Sequence, residues 1–274
     1  MKETKLHAKN LLIIFLVLFV LLSTSCQSIP KATAGSDTLY QVSLLNALML
    51  GEYDGFVPVS VLQTKGNIGI GTFDTLDGEM IFLDGIMYRA TATGAVELVG
   101  PQEMIPFAVV KRFTIDLRED EIGSLENMDI IKDFLDQQIS KLGNDLNCFY
   151  VAKLEGDFFH VKVRSVPPQE KPYKRLSEIA ATQKEFNYEN LEGTIVAFRC
   201  PEYVAGINLP QWHLHFLSSD KTKGGHLLEA NLNSGSLEMD LTREFDLILP
   251  QSESFAHMDI AHDLSKETSQ VEGK

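Results

Sequence analysis

Apolar positions along this chain recur mostly at a spacing of two, with helical spacing confined to a few stretches, so the pattern predicts a β-rich fold. Residues 68–73 alternate Ile68, Ile70 and Phe73 with small residues, the mark of a strand closely approached by another backbone. Residues 79–83 and 86–90 form two short strands joined at Asp84-Gly85, a strong hairpin signal. Further strands are expected at 39–43, 107–115, 194–199, 212–218, 226–232, 236–241 and 245–249. Residues 148–154 and 157–166 read as a hairpin turning at Glu155-Gly156 and stopped by Pro167-Pro168.

The long helix predicted with most support runs over 125–142, where Ile130, Ile131, Phe134, Leu135, Ile139 and Leu142 fall on one face. A second helix is expected over 176–186, short helical pieces at 44–51 and 58–66, and helix in the tail between 253 and 271. The fold class is α+β and β-rich, with two mixed or antiparallel β-sheet halves and a few helices. The expected division places an N-terminal half at 38–145, containing the helix 125–142, and a C-terminal half at 146–274.

The first residues follow another logic. Lys2, Lys5 and Lys9 precede an unbroken apolar run from Leu11 to Leu22, then Ser23-Thr24-Ser25-Cys26. A basic start, an apolar stretch too short to span a membrane comfortably and a small-residue exit read as an export signal over 1–26. Cys26 after small residues resembles a bacterial lipoprotein cleavage box; ordinary signal cleavage or an uncleaved anchor are the alternatives. Residues 27–37 would then be a tether, with membrane attachment only through a lipidated Cys26. The chain is expected to be exported and held at the cell envelope.

The net charge is −14. Without residues 1–26, 21 cationic side chains face 37 acidic ones, leaving −16. An acidic surface of this size argues against a nucleic-acid partner, which needs the opposite sign. Cys148 and Cys200 are either one disulfide or two buried thiols; their spacing does not decide.

Candidate chemistry concentrates in one place. Three of the seven His are His213, His215 and His226. In the run from Trp212 to Phe216, both His leave one face of a strand and the apolar residues the other. Residues 218–225 are polar and glycine-rich, so a hairpin there would return His226 towards the pair. Three imidazoles with an open position are the ligand set of a catalytic zinc; the competing reading is a solvated hairpin that binds nothing. Arg164 shares a strand face with His160 and Lys162, either turned into a cavity or simply solvated. Glu79, at a strand start, is one carboxylate among 38 acidic residues, and Glu272 lies in the tail.

Several segments occur in an order that carries a family likeness. Among them are Tyr53-Asp54-Gly55, Gly69-Ile70-Gly71-Thr72-Phe73, Leu76-Asp77-Gly78-Glu79, Val163-Arg164-Ser165-Val166-Pro167 and Arg199-Cys200-Pro201-Glu202-Tyr203. Trp212-His213-Leu214-His215-Phe216-Leu217 and Gly224-Gly225-His226 complete the series. From about residue 38 onwards the chain resembles the alpha-acetolactate decarboxylase family. The resemblance implies Zn2+ held by His213, His215 and His226 in a cleft between two sheet-rich halves, with catalytic Glu79, Arg164 and Glu272; Glu267 is the competitor for the last. It implies the substrate 2-acetolactate, the products acetoin and carbon dioxide, a metal-stabilised enediolate between them, and a homodimer. An export signal departs from the cytoplasmic habit of that family. The rival reading is a non-catalytic, metal-binding exported lipoprotein on the same scaffold.

Overall fold

The computed structural model describes residues 37–272. The expected leader with Cys26, and the tether up to residue 36, lie outside these described residues. The strands of the first half are β1 (Thr38–Val42), β2 (Val57–Pro58), β3 (Ile68–Thr72), β4 (Glu79–Leu83), β5 (Ile86–Ala90), β6 (Val96–Leu98), β7 (Met104–Ile105) and β8 (Phe107–Lys111). They are followed by β9 (Leu117–Ile122), β10 (Phe149–Ser165), β11 (Lys184–Cys200), β12 (Gln211–Ser218), β13 (Gly224–Thr242) and β14 (Glu244–Ile248). Helices α1 (Leu45–Met49), α2 (Val59–Lys65), α3 (Met128–Lys141), α4 (Leu176–Ala180), α5 (Glu253–Ala256) and α6 (Ser265–Val271) are interspersed.

Two sheets carry the fold. The first has seven strands in the order β14-β1-β8-β3-β4-β5-β6, and the second five in the order β10-β11-β12-β13-β9. β10 also pairs with β13, so β10, β11, β12 and β13 form a closed circuit of hydrogen-bonded neighbours. Ile68, Ile70, Ile81 and Leu83 of the first sheet meet Val151, Val196, Phe198 and Leu217 of the second in one buried cluster. This is sheet-on-sheet packing through alternating inward positions. The β-rich α+β class expected from the apolar pattern is the class observed. The hairpin at Asp84-Gly85 falls between β4 and β5 as expected, and a Cβ on Gly71 would lie 2.3 Å from the carbonyl oxygen of Phe107, so β3 is indeed closely approached.

Three expectations are corrected. Residues 148–166 are not a hairpin but one continuous strand, β10. Gly156 lacks the positive φ a tight turn demands; it lies opposite Gly193 and Gly235 on the flanking strands, where a Cβ would come within 2.2 Å of the Ser234 carbonyl oxygen. Its role is close approach between backbones. The two strands expected at 226–232 and 236–241 likewise merge into β13. The helix expected over 176–186 stops at Ala180, because residues 184–199 pair along β10 from Ser165 to Tyr150. Long-range strand pairing overrides the local helical pattern there.

Chain order and sheet membership also diverge. Helix α3, expected in the N-terminal half, lays Ile131, Leu135 and Ile139 against Tyr150, Ala152 and Leu214 of the second sheet. Its start is capped by Asn127, whose side chain accepts from the Ile130 amide at 3.0 Å. β9, which has no alternating apolar pattern, adds to the edge of β13, and β14 crosses back to pair in parallel with β1. Cys148 and Cys200 are free, buried thiols. Among the described residues no helix is long and apolar enough to cross a membrane.

A buried ion pair also joins the sheets. Lys111 of β8 and Asp240 of β13 are both fully buried and 3.2 Å apart, and Asp240 accepts the Thr114 amide at 2.6 Å. Lys111 also pairs with the half-exposed Asp37 at 3.2 Å, so it is removal of Lys111 that leaves the buried Asp240 carboxylate without its ion-pair partner, at a cost of about 3–5 kcal/mol. Lys111→Met is therefore expected to lower unfolding free energy by about that amount in urea titrations, and Lys111→Met with Asp240→Leu to recover most of the loss.

Candidate active site

The strand register assembles the imidazoles. β12 and β13 pair so that His215 lies directly opposite His226, and β13 and β10 so that His226 lies opposite Arg164. Side chains opposite one another in an antiparallel pair leave the same face. Arg164, His226 and His215 therefore form a row across three strands, with His213 two residues along β12. This face looks towards the first sheet: Val196 and Phe198, opposite His215 and His213, belong to the cluster between the sheets. The other face of β12, with Trp212, Leu214 and Phe216, is buried in the core against α3. The glycines before His226 serve the same geometry. A Cβ on Gly225 would lie 2.6 Å from the Arg164 carbonyl oxygen, so only glycine lets β13 run this close to Arg164.

The nitrogens face one another. His213 Nε2 stands 3.2 Å from His215 Nε2 and 3.1 Å from His226 Nδ1. Nitrogens bound tetrahedrally at about 2.0–2.1 Å from a zinc ion would be roughly 3.3 Å apart, so the spacing fits such an ion. His215 Nδ1 donates to the Met80 carbonyl oxygen at 2.9 Å. That bond assigns the proton to Nδ1 and leaves the Nε2 lone pair pointing at the other imidazoles, the usual support of a metal-binding His. Burial lowers the pKa of His215 and His226 well below the ordinary imidazole value, helped by His213 in the first case and Arg164 in the second. Burial thus favours the neutral form of these two rings, the form that binds a metal.

Charged groups surround this cluster. Glu79, at the start of β4, places Oε2 3.7 Å from His215 Nε2. Glu272, just beyond α6, places one carboxylate oxygen 3.5 Å from His226 Nε2 and the other 3.8 Å from Arg164. Burial pushes the Glu79 carboxyl up to about 7, opposed by Arg164 and reinforced by Glu272. Arg164 is 5% exposed, and its Nε has no hydrogen-bond partner among the described residues. A buried, unmet guanidinium donor is costly and is suited to an incoming carboxylate.

All six residues line one cavity of about 50 Å3, whose remaining wall is mostly apolar and includes Leu48, Met49, Leu176 and Val271. A hollow of about 580 Å3 adjoins it, and Leu45 and Glu272 line both. The structure therefore brings together Glu79, Arg164, Glu272, His213, His215 and His226. Glu267, the competing tail glutamate, is turned instead to Arg175 at 2.6 Å. On β10, His160 and Lys162 stay near solvent, Lys162 pairing with Glu185 at 2.9 Å, while the strand end at Arg164 is covered. The Met80 carbonyl was missed in the sequence, because every residue carries that group and no residue type marks it. The apolar wall was missed because it comes from short helices distant along the chain.

Comparison with known proteins gives the family. A sequence profile described as alpha-acetolactate decarboxylase matches residues 39–262. The alpha-acetolactate decarboxylase of Methanosarcina mazei is 43% identical over 240 residues, covering 86% of this chain and 81% of that protein. The one from Brevibacillus brevis is 36% identical over 243 residues, covering 88% and 83%. The crystal structure of alpha-acetolactate decarboxylase from Bacillus subtilis strain 168 superposes with a TM-score of 0.81 at 33% identity, covering 86% of this chain and 100% of that one. The profile spans most of the chain, and the chain belongs to the alpha-acetolactate decarboxylase family, a family of carboxy-lyases.

Proposed function

We propose that this chain decarboxylates 2-acetolactate to acetoin and carbon dioxide, with zinc held by His213, His215 and His226 between the two sheets. The observation that carries the reading is the convergence of three inward-facing imidazoles, two of them kept neutral by burial, with a buried Arg164 and two glutamates on one small cavity. A zinc ion held by these three His would supply a Lewis acid for the negative charge that develops as carbon dioxide leaves. Arg164 offers its unmet Nε–H to the substrate carboxylate and holds it in place until carbon dioxide leaves. The electron pair left on the hydroxyl-bearing carbon moves into the neighbouring ketone, giving an enediolate. A carboxyl group of the Glu79 and Glu272 pair returns a proton to that carbon from one side, and so sets the configuration of acetoin. The apolar residues lining the cavity exclude water and take the alkyl groups of the substrate.

The decisive measurement is acetoin formation from racemic acetolactate, followed by colour reaction alongside metal analysis. Chelation is expected to stop product formation and added zinc to restore it, while His213→Ala loses both metal and turnover. Arg164→Ala is expected to lose about 100-fold or more in turnover with zinc still bound, on the scale of removing one preorganised donor. Bound zinc without carbon dioxide release in the native protein would favour the non-catalytic metal-binding reading instead.

In the same reading the protein is exported, attached to the cell envelope through a lipidated Cys26, and paired as a homodimer. Support comes from the basic, apolar and small-residue succession of positions 1–26. Labelled fatty acid supplied to a bacterial host is expected to mark the native chain and to leave Cys26→Ser unmarked; equal labelling of both would rule out acylation at this residue.

A further inference from the structure

Glu272 reaches the imidazoles from a helix that has little means of holding itself. α6 has seven residues and no side-chain cap at its start, and so short a helix is marginal without tertiary anchors. Two of its anchors are apolar: Leu264 and Val271 are buried with Leu45, Leu48, Met49, Leu176 and Ile179. Such contacts are non-directional and tolerate sliding and rotation. A carboxylate that must meet both His226 and Arg164 requires more.

The directional anchor is at Glu267. Its Oε1 accepts from Arg175 Nη1 at 2.6 Å and its Oε2 from Ser177 Oγ at 3.1 Å. Both partners lie at the start of α4, Arg175 immediately before it and Ser177 within its first turn. Each carboxylate oxygen thus has its own donor, which fixes rotation of α6 about its axis as well as its position along it. Glu272 lies five residues beyond Glu267, roughly 7–8 Å along a helix, and its amide continues the helical bonding by donating to the Thr268 carbonyl oxygen at 2.9 Å. A turn of α6 would therefore carry Glu272 with it. The pair is about 43% and 29% exposed at Arg175 and Glu267, so its contribution to overall stability is small. A contact of little worth to stability that fixes the phase of a site-bearing helix has a role in positioning.

We infer that Arg175 and Ser177 are positioning residues that act through Glu267 to seat Glu272 against His226 and Arg164. The inference rests on the decarboxylase reading only in supposing that a seated Glu272 matters to turnover. The clamp touches none of the imidazoles, and its loss leaves metal binding to β12 and β13.

The test is a double-mutant cycle on full-length, zinc-loaded protein. Glu267→Ala is expected to lower kcat about 10- to 100-fold, the scale of a catalytic group displaced by about 1 Å, with zinc content unchanged. Glu267→Gln, which keeps the shape and one acceptor oxygen, is expected to lose less. Combining Glu267→Ala with Glu272→Gln should be no slower than Glu272→Gln alone, since a misplaced group that is already disabled costs nothing further. Multiplying losses, or Glu267→Ala within about twofold of native, would overturn the inference. Native turnover in Glu272→Gln would also overturn it while leaving the decarboxylase reading standing. Hydrogen exchange supplies a readout independent of catalysis: the amides of residues 268–272 should lose protection in Glu267→Ala, while those of β12 and β13 keep theirs. If native protein proves inactive on acetolactate, the functional reading falls and this exchange result alone decides the clamp; unchanged protection would refute it.

Discussion

A slip of one residue in the pairing of β12 with β13 would turn His213 and His215 into the core behind them and bring Trp212, Leu214 and Phe216 out to face the first sheet. Both outcomes are unfavourable, the first because it buries two polar rings without partners, the second because it abandons a packed apolar face against α3. The apolar alternation of β12 therefore enforces the register that sets His215 opposite His226. Arg164 follows from the same constraint, since β10 is locked to β13 along nearly its whole length. Three strands thus present one row of polar groups on a face that is otherwise an apolar sheet interface.

That row is tolerable because the first sheet answers it. The Met80 carbonyl accepts from His215, and Glu79, next to it in the chain, brings a carboxylate to the same ring. Strand β4 thereby supplies both the group that sets the tautomer and one that can exchange a proton. The same low-dielectric surroundings that keep His215 and His226 neutral hold the Glu79 carboxyl near neutrality's edge, at about 7. Elsewhere between the sheets, Lys111 and Asp240 show the other way of keeping charge in such an interior, direct pairing backed by the Thr114 amide. Arg164 Nε, like Arg89 Nε and Arg199 Nε elsewhere, has no hydrogen-bond partner among the described residues; unlike them it lines the cavity, where an incoming carboxylate can meet it.

The contribution of the C-terminal segment is of a different kind. Its two short helices have few internal means of stability, and side chains at points along it are tied to the body. Ser254 donates to Glu52 at 2.7 Å, Asn46 donates to the Ile260 carbonyl oxygen at 3.0 Å, and Glu267 meets Arg175 and Ser177. By these ties, a stretch with little secondary structure delivers Glu272 to a cavity built by strands much earlier in the chain. The same stretch lines both the small cavity and the larger hollow beside it.

Local pattern was enough for the β-rich class, the β4–β5 hairpin, helix α3 and the two-faced strand that carries His213 and His215, because each depends on residues within a few positions of one another. It misled at Glu155-Gly156 and at 176–186, where the partners that decide the outcome lie across the sheet, β11 and β13 for the first and β10 for the second. In the site, residue type and spacing singled out the three His by themselves; Glu79, Arg164 and Glu272 were named only through family likeness, since an acidic or basic residue on a strand face looks alike whether solvated or buried. What the chain alone determined was which side chains could share a strand face, a consequence of the two-residue period of the backbone. What tertiary structure decided was which of those faces would be covered, because desolvation, the assignment of a proton to His215 Nδ1 and the choice between Glu267 and Glu272 all arise from contacts between segments as much as 135 residues apart.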